Sequence, residues 1–364
     1  MDNISIELQE NTIIEAPKLI ETISEKKLTK LDVLKRLSSG TLLREGINDI
    51  ISANTGALII IYNPLAQTIF QGGFRIDCKF TPKKLAELAK MDGAIILSEN
   101  SKKILYANTL LIPDTTISSS ETGTRHQAAE RTAKQTNTIV IAVSQRKKEI
   151  TIYYQNSKYV LQHTEDLLRR ATETLQILEK QREIFNENLT NLNILEMTGL
   201  VSISEVCQVL QRIEMIKKIA NIINEHIIEL GKNSSIVRMR LRELTKGIEK
   251  EEALIIKDYL KRPIRSKTFL TNLNFEELLD LEKIAKNLFK KELEKEISPK
   301  GYRILSKLNI SKTEIEHLIK LFENLHKIIN SPDEKIRQVL KGNLESFKKD
   351  FNHLREQIII GKKI

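Results

Sequence analysis

Cysteine is nearly missing from this 364-residue sequence, which has two, Cys78 and Cys207. They stand far apart and without metal-ligand spacing. A disulfide framework and a cysteine zinc site are both excluded, and each thiol reads as a small apolar side chain in a reducing compartment. A long hydrophobic run is missing too. The longest, Ala57 to Tyr62, falls far short of the roughly 20 apolar residues that span a bilayer. The opening residues Met1-Asp2-Asn3-Ile4 carry neither a basic nor an apolar stretch, so nothing there directs export. A cytoplasmic protein with no membrane partner is the expectation.

Charge is plentiful. Charged residues make up 29% of the chain against 40% hydrophobic, with a formal net charge of +10. That apolar share fills a core, and the length calls for two or three domains. The positive excess is uneven: from Lys286 onward there are 18 Lys/Arg against 11 Asp/Glu, a net of +7. A basic terminal region attracts polyanions, DNA among them. A lysine-rich composition gives the same balance with no partner at all.

The texture changes near residue 162. Before it, Ala57 to Ile61 and Ile139 to Val143 are continuous apolar runs of buried-strand type. Ala94 to Leu97 and Ile104 to Tyr106 flank a polar turn at Ser98 to Lys103, which reads as a hairpin. Helices are expected at Thr41–Ala53, at Pro82–Lys90 behind Thr81 as N-cap, and at Thr124–Gln135. Residues 1–162 therefore form an α/β domain, a mixed sheet with flanking helices. From about Asp166 the pattern is helical: Leu168, Ala171, Leu175, Leu178, Phe185, Leu189 and Leu192 make an amphipathic stripe interrupted by Arg182. Further helices are expected at Ile203–Leu230 and Ser235–Lys246, giving an all-α spine over 163–285, with Asn272 to Glu277 as a linker candidate. Residues 286–364 read as short helices broken at Ser298-Pro299, Asn309 to Lys312 and Ser331-Pro332.

Two clusters carry chemistry. In Met91-Asp92-Gly93-Ala94 a helix ends and a buried strand begins; in Glu121-Thr122-Gly123-Thr124-Arg125-His126-Gln127-Ala128 a loop opens a helix. The second reads as an anion site. Gly123 turns the backbone, Thr124 caps, and the first N–H groups face a phosphate at the positive end of the helix dipole. Arg125 adds a fork suited to phosphate oxygens. Asp92 supplies a carboxylate beside a glycine that admits a ligand, the usual way to hold Mg²⁺ or Mn²⁺ against phosphates. Each cluster also has a plainer reading. Asp-Gly is a common turn pair, Gly-Thr-Arg-His can be a cap alone, and His126 can be a surface histidine.

Asp92-Gly93-Ala94 and Gly123-Thr124-Arg125-His126 match, in order and spacing, the two signature motifs of the diadenylate cyclase domain. Gly72-Gly73-Phe74, Glu87 to Met91, Ala107-Asn108 and Ala129-Glu130-Arg131 supply the matching context within residues 10 to 160. The later helices, through Leu195-Glu196, Val209 to Met215, Glu229-Leu230-Gly231 and Asp258-Tyr259-Leu260, resemble the spine of the DNA integrity scanning (DisA) family. Ser298 to Arg303 resembles the start of its DNA-binding helix-hairpin-helix region, a small all-α domain.

The resemblance implies an enzyme that condenses two ATP molecules into cyclic di-AMP. Asp92, Arg125 and His126 would be its catalytic residues, with Asp92 on the metal and Arg125 and the N–H groups of Thr124 to Ala128 on the phosphates. It further places Gly93, Ala94 and Leu111 at the adenosine, with Gly123, Thr124, Gln127, Ala128, Ser144, Arg146 and Lys147 along the triphosphate. It implies a homo-oligomer, an octamer in the family, a DNA partner and association with the nucleoid. Two departures stand out. Gln127 replaces a cation and Ala128 a threonine, while Gly342-Asn343-Leu344 replaces a Gly-Ile-Gly turn, with Leu344 where backbone would approach phosphate. Weak, electrostatic DNA binding is the consequence. The alternative is a DNA scanner whose cyclase site is impaired.

Overall fold

A computed structural model describes residues 29–340 and 344–362. Met1 to Ile4, the first part of the 10–160 resemblance, Gly342 and Asn343 lie outside the described residues. The chain divides into two compact units at Gln162/His163.

The first unit begins with α1 (Lys30–Leu37) and α2 (Leu42–Ser52), N-capped by Thr29 and Thr41. After them come β1 (Ala57–Ile61), β2 (Phe70–Gln71), β3 (Phe74–Lys79), α3 (Pro82–Leu88), β4 (Ala94–Leu97) and β5 (Lys103–Leu111). The unit closes with α4 (Thr124–Thr136), β6 (Ile139–Val143), β7 (Ile150–Tyr154) and β8 (Ser157–Leu161). Thr81 caps α3 with Pro82 in its first turn, as the sequence predicts. The strands form one mixed sheet in the order β2-β5-β4-β1-β6-β7-β8, with β3 also paired to β5. β1 and β6 are buried along their whole length, the outcome expected of unbroken apolar runs. Ala129 and Ala133 of α4 pack on Leu58, Ile60, Val140 and Tyr153, fixing that helix over the centre of the sheet.

The described residues of the second unit are mostly helical, with one antiparallel bridge between Ser202 and Glu296. The unit runs through α5 (Thr164–Thr198), α6 (Ile203–Leu230), α7 (Ser235–Thr245), α8 (Ile248–Tyr259), α9 (Pro263–Asn272), α10 (Phe275–Leu279) and α11 (Leu281–Leu288). After these come α12 (Tyr302–Leu305), α13 (Lys312–Phe322), α14 (Leu325–Ile329), α15 (Asp333–Arg337) and α16 (Leu344–Ile359). On α5 the buried stripe is Leu167, Ala171, Leu175, Leu178, Phe185 and Leu192; Leu168, assigned to it from the sequence, is exposed. Arg182 keeps its place in the stripe by laying its guanidinium over the Phe185 ring, 5.2 Å from the centroid. The linker expected at Asn272 to Glu277 is absent. Leu270, Leu273 and Leu278 bury into one core, and Asn274 caps α10, so the break is a turn inside the spine.

A second core gathers Ile304, Leu305, Leu318, Phe322, Leu325, Phe347, Phe351 and Ile358. Leu344 belongs to it, 6% exposed at the start of α16. Its side chain points into protein and cannot obstruct a phosphate, which corrects the expectation drawn from its bulk. A buried polar network joins this core to the spine. Arg303 pairs with Glu196 at 2.5 Å and also bonds Asn193. Asp258 accepts the N–H groups of Gly301, Tyr302 and Arg303 at 2.8, 2.6 and 2.8 Å. Tyr259 donates to Glu196 at 2.6 Å. No described helix is long and apolar enough to cross a membrane.

Candidate active site

Strand register brings the two motif clusters to one end of the sheet. β1 and β4 are parallel, with Leu58 opposite Ala94, and β6 runs antiparallel to β1 with Val143 opposite Ala57. The amino ends of β1 and β4 therefore share an edge with the carboxyl end of β6. Ala94 and Val143, two strands apart, are separated by about 10 Å at the usual strand spacing.

At the β4 end stands Asp92, exposed, followed by Gly93 at φ +89°. A Cβ on Gly93 would lie 2.8 Å from the Asn108 carbonyl carbon and 2.9 Å from the Thr109 nitrogen. The β5 backbone and the left-handed conformation both demand a glycine here. Gly73, at φ +82°, meets the same segment from the other side, where a Cβ would be 2.7 Å from the Ala107 oxygen. Asn108 itself sits at φ +54° in an irregular stretch of the β4–β5 ladder. Ala94 is fully buried, so only its backbone borders the site. Leu111 is half-buried at the end of β5, opposite Phe70 of β2.

At the other end of the cluster, α4 begins. Gly123 is its N-cap at φ −86°, with no side-chain cap, and Thr124 is the first helical residue. Gly123 therefore turns nothing that another residue could not, and Thr124 does not cap. The Gln127 N–H already bonds the Gly123 oxygen at 2.8 Å, and Ala128 lies one residue further into the helix. The N–H groups left without an intrahelical partner are those of Thr124, Arg125 and His126. A 13-residue helix with no acidic residue in its first turn leaves that positive end uncompensated. Arg125 lies along Gly56, just before β1: a methyl on Gly56 would overlap Arg125 Nη1. Ser144, Arg146 and Lys147 form the β6–β7 turn, closed by Lys148 N–H to the Ser144 oxygen at 2.9 Å. Arg146 and Lys147 are exposed there.

The loop ahead of α4 is pinned to the helix. Gln127 Nε2 donates to the Glu121 oxygen at 2.8 Å, Ser119 Oγ to Glu130 at 2.6 Å, and Arg131 Nε to the Ile117 oxygen at 2.9 Å. Gln127, where a cation was expected, spends its amide on this loop, and Ala129-Glu130-Arg131 is packing and loop anchorage. Behind it, His126 Nδ1 meets the Tyr153 hydroxyl at 2.9 Å. Burial and the cations Lys158, Arg125 and Lys147 hold the imidazole below its ordinary pKa, against the pull of Glu121. Burial opposes ionisation of Glu121, but its pair with Lys158 and the neighbouring Tyr153 hydroxyl hold it below the usual carboxylate value. Burial and the same Glu121 push the Tyr153 phenol far up, so it stays protonated.

The edge thus combines one exposed carboxylate, three free N–H groups, Arg125 and two further cations, a donor set for a phosphorylated ligand. Among the described residues no group of three His, Cys, Asp or Glu side chains could hold a metal ion by itself. Gly56, Tyr153 and Lys158 went unnoticed as contributors in the sequence, and Glu121 stood in the second cluster without a role of its own. Gly56 stands directly before the first apolar run, and that was the available signal.

The fold and this edge define a nucleotide-binding domain joined to a helical linker. Residues 44–158 match the family described as DisA bacterial checkpoint controller nucleotide-binding, and residues 161–295 match the DisA bacterial checkpoint controller linker region. The DNA integrity scanning protein DisA of Clostridioides difficile is 44% identical over 318 residues, covering 85% of this chain and 89% of that protein. The DisA of Clostridium botulinum strain Alaska E43 is 41% identical over 351 residues, 93% and 99% of the two chains, and that of Acetivibrio thermocellus 43% over 319 residues, 85% and 89%. The chain belongs to the DisA family.

Proposed function

We propose that this protein is a diadenylate cyclase that condenses two ATP molecules into cyclic di-AMP. The observation that carries it is the shared sheet end, where Asp92 leads into β4 and Arg125 lies along Gly56 at the start of the neighbouring β1. That arrangement suits a nucleotide with its triphosphate laid toward α4. Two such nucleotides react symmetrically. Each 3′-hydroxyl attacks the α-phosphorus of the other, two P–O bonds form, two break, two protons leave, and two diphosphates depart. The protein's part is positioning and charge neutralisation.

Arg125 and the N–H groups of Thr124, Arg125 and His126 would grip phosphate oxygens, with Arg146 and Lys147 further along the chain of phosphates. A Mg²⁺ or Mn²⁺ ion fits as a cation that arrives with the phosphates, because Asp92 is a lone carboxylate rather than part of a cage. Bound there, it would neutralise phosphate charge. Asp92 would anchor it and orient the attacking hydroxyl. Reaction between two nucleotides calls for two sites facing each other across an isologous contact. Exposed Leu110 and Ile112, just past the Thr109 that packs on Gly93, support self-association at this edge. The excess positive charge after Lys286 supports a weak, salt-sensitive contact with DNA.

Incubation of the purified protein with ATP and Mn²⁺, followed by chromatography, tests the reading. Cyclic di-AMP and diphosphate are the expected products. ATP left intact, or linear products alone, would overturn it.

A further inference from the structure

An open cleft of about 820 Å³ lies in the helical unit, between α6, α7 and the start of α8. Ile227 of α6, Leu241 of α7 and Ile248 of α8 line it with buried apolar surface. Its charged lining is mostly cationic: Lys217 from α6, Arg238 and Arg242 from α7 and Lys250 from α8, against one carboxylate, Glu249. The two arginines stand four residues apart and so share one face of α7. Lys217 is already matched, by Glu214 at 2.7 Å and Glu252 at 2.8 Å. Arg238 donates once, to Ser234 Oγ at 3.2 Å. Arg242 and Lys250 have no hydrogen-bond or ion-pair partner among the described residues. Gly247, at φ +80° between α7 and α8, borders the open space, and a Cβ there would meet nothing within 4 Å.

We propose that this cleft is a second ligand site, which takes a small molecule carrying two or more linked phosphates. Its volume falls within the range of about 300–1,000 Å³ usual for small-ligand sites. Arginine and lysine side chains only donate hydrogen bonds, so the free groups of Arg242 and Lys250 call for an acceptor. A phosphate chain supplies acceptors and charge together, and a planar guanidinium meets two phosphate oxygens at once. With Lys217 matched by its two carboxylates, Arg238, Arg242 and Lys250 still outnumber Glu249. One negative charge does not balance that excess; a diphosphate or triphosphate does. The apolar floor gives an organic part of the ligand, such as a nucleoside, a place to lie. No residue of the sheet unit takes part, so this cleft fills whether or not the α4 end binds nucleotide.

Hydrogen–deuterium exchange on the whole chain reads this cleft and the α4 end separately. The probes are inorganic tripolyphosphate and 3′-deoxy-ATP, which lacks the hydroxyl that ring closure needs, with sodium sulfate at equal ionic strength as reference. Exchange from Thr245 to Glu252 should slow at least about threefold under a saturating probe and stay unchanged in sulfate. Arg242→Gln/Lys250→Gln should abolish the slowing. Both side chains are exposed, so without probe this variant should melt with the wild type. Lys83→Gln/Lys102→Gln, which removes the same charge from exposed sites on the sheet unit, should keep the slowing. Slowing by both probes assigns recognition to the phosphates, and slowing by 3′-deoxy-ATP alone adds the apolar floor. Exchange unmoved by either probe, an equal effect from sulfate, or slowing that survives in Arg242→Gln/Lys250→Gln overturns the second site. Slowing confined to the α4 end also overturns it, while the nucleotide reading of the sheet unit stands.

Discussion

The guanidinium of Arg125 lies in the space that any side chain on Gly56 would need, and a methyl there would also stand 3.0 Å from the Val143 oxygen. Gly56 does not have a left-handed backbone, so the alanine variant meets a side-chain conflict rather than a conformational one. Gly56→Ala should displace Arg125 and weaken 3′-deoxy-ATP binding about tenfold, roughly 1.4 kcal/mol. Its melting temperature should fall by only a few degrees. Affinity equal to wild type would show that Arg125 does not hold the nucleotide from this position.

Asp92 and Gly93 are neighbours with separable duties. Asp92→Asn changes an exposed side chain, so its melting curve should overlay that of the wild type while cyclic di-AMP formation drops on the order of 100-fold or more. Gly93→Ala strains a φ of +89° and drives a methyl into Asn108 and Thr109. Left-handed strain alone costs about 1–2 kcal/mol, so this variant should unfold at visibly lower denaturant. Comparing denaturation midpoints with product yields for both variants tells the duties apart.

Arg303 and Glu196 form a fully buried ion pair. Arg303→Met leaves the Glu196 carboxylate without its cation and should cost about 3–5 kcal/mol in denaturant unfolding. Lys257 and Glu316 pair at 3.3 Å with both side chains largely in solvent. Lys257→Met should therefore cost below about 1 kcal/mol, and equal losses in the two variants would contradict the assignment of burial.

Acidification should act on the first unit through His126. Its folded pKa lies below the ordinary imidazole value of 6.5, because burial disfavours the charged ring. The unfolded chain then binds more protons below about pH 6.5, so this contribution to stability is complete above that pH and lost as pH falls through it. Melting temperatures measured from neutral pH down to about pH 5 should fall less steeply in His126→Gln than in the wild type.

Leu344→Gly would restore a family glycine, yet it empties a position in the second helical core. A buried leucine cut back this far costs about 2–5 kcal/mol, so the variant should lose stability and gain no affinity for DNA. DNA binding by the wild type should instead track salt, with the logarithm of the affinity falling linearly against the logarithm of salt concentration. Titrations of duplex and branched DNA at several salt concentrations check this. Tight, junction-selective binding at physiological salt would overturn the electrostatic reading.

Local pattern carried much of the architecture. Thr41 and Thr81 announced two helices, and the apolar runs at residues 57 and 139 announced the central strands. Asp92 and Arg125 were visible as chemistry because each stands in a short, ordered motif. What stayed hidden depends on pairs far apart in the chain. Gly56 matters because Arg125 folds back over it, and Gly93 because β5 returns beside it, neither of which a local window contains. Gln127 looked like a missing cation, yet its amide closes the loop at Glu121. Leu168 and Leu167 differ by one position in a helical stripe, and only the neighbouring helices decide which faces inward.

The 35 residues of α5 extend about 52 Å at 1.5 Å per residue, and no glycine or proline interrupts them between Thr164 and Thr198. Asn193 and Glu196, near one end, grip Arg303 just after the Gly301 turn whose N–H groups Asp258 holds. Such a helix bends little, and its last turns are bolted to the terminal core rather than hinged to it. A torque on α12 is therefore carried into α5 within the helical unit instead of dissipating in a loop.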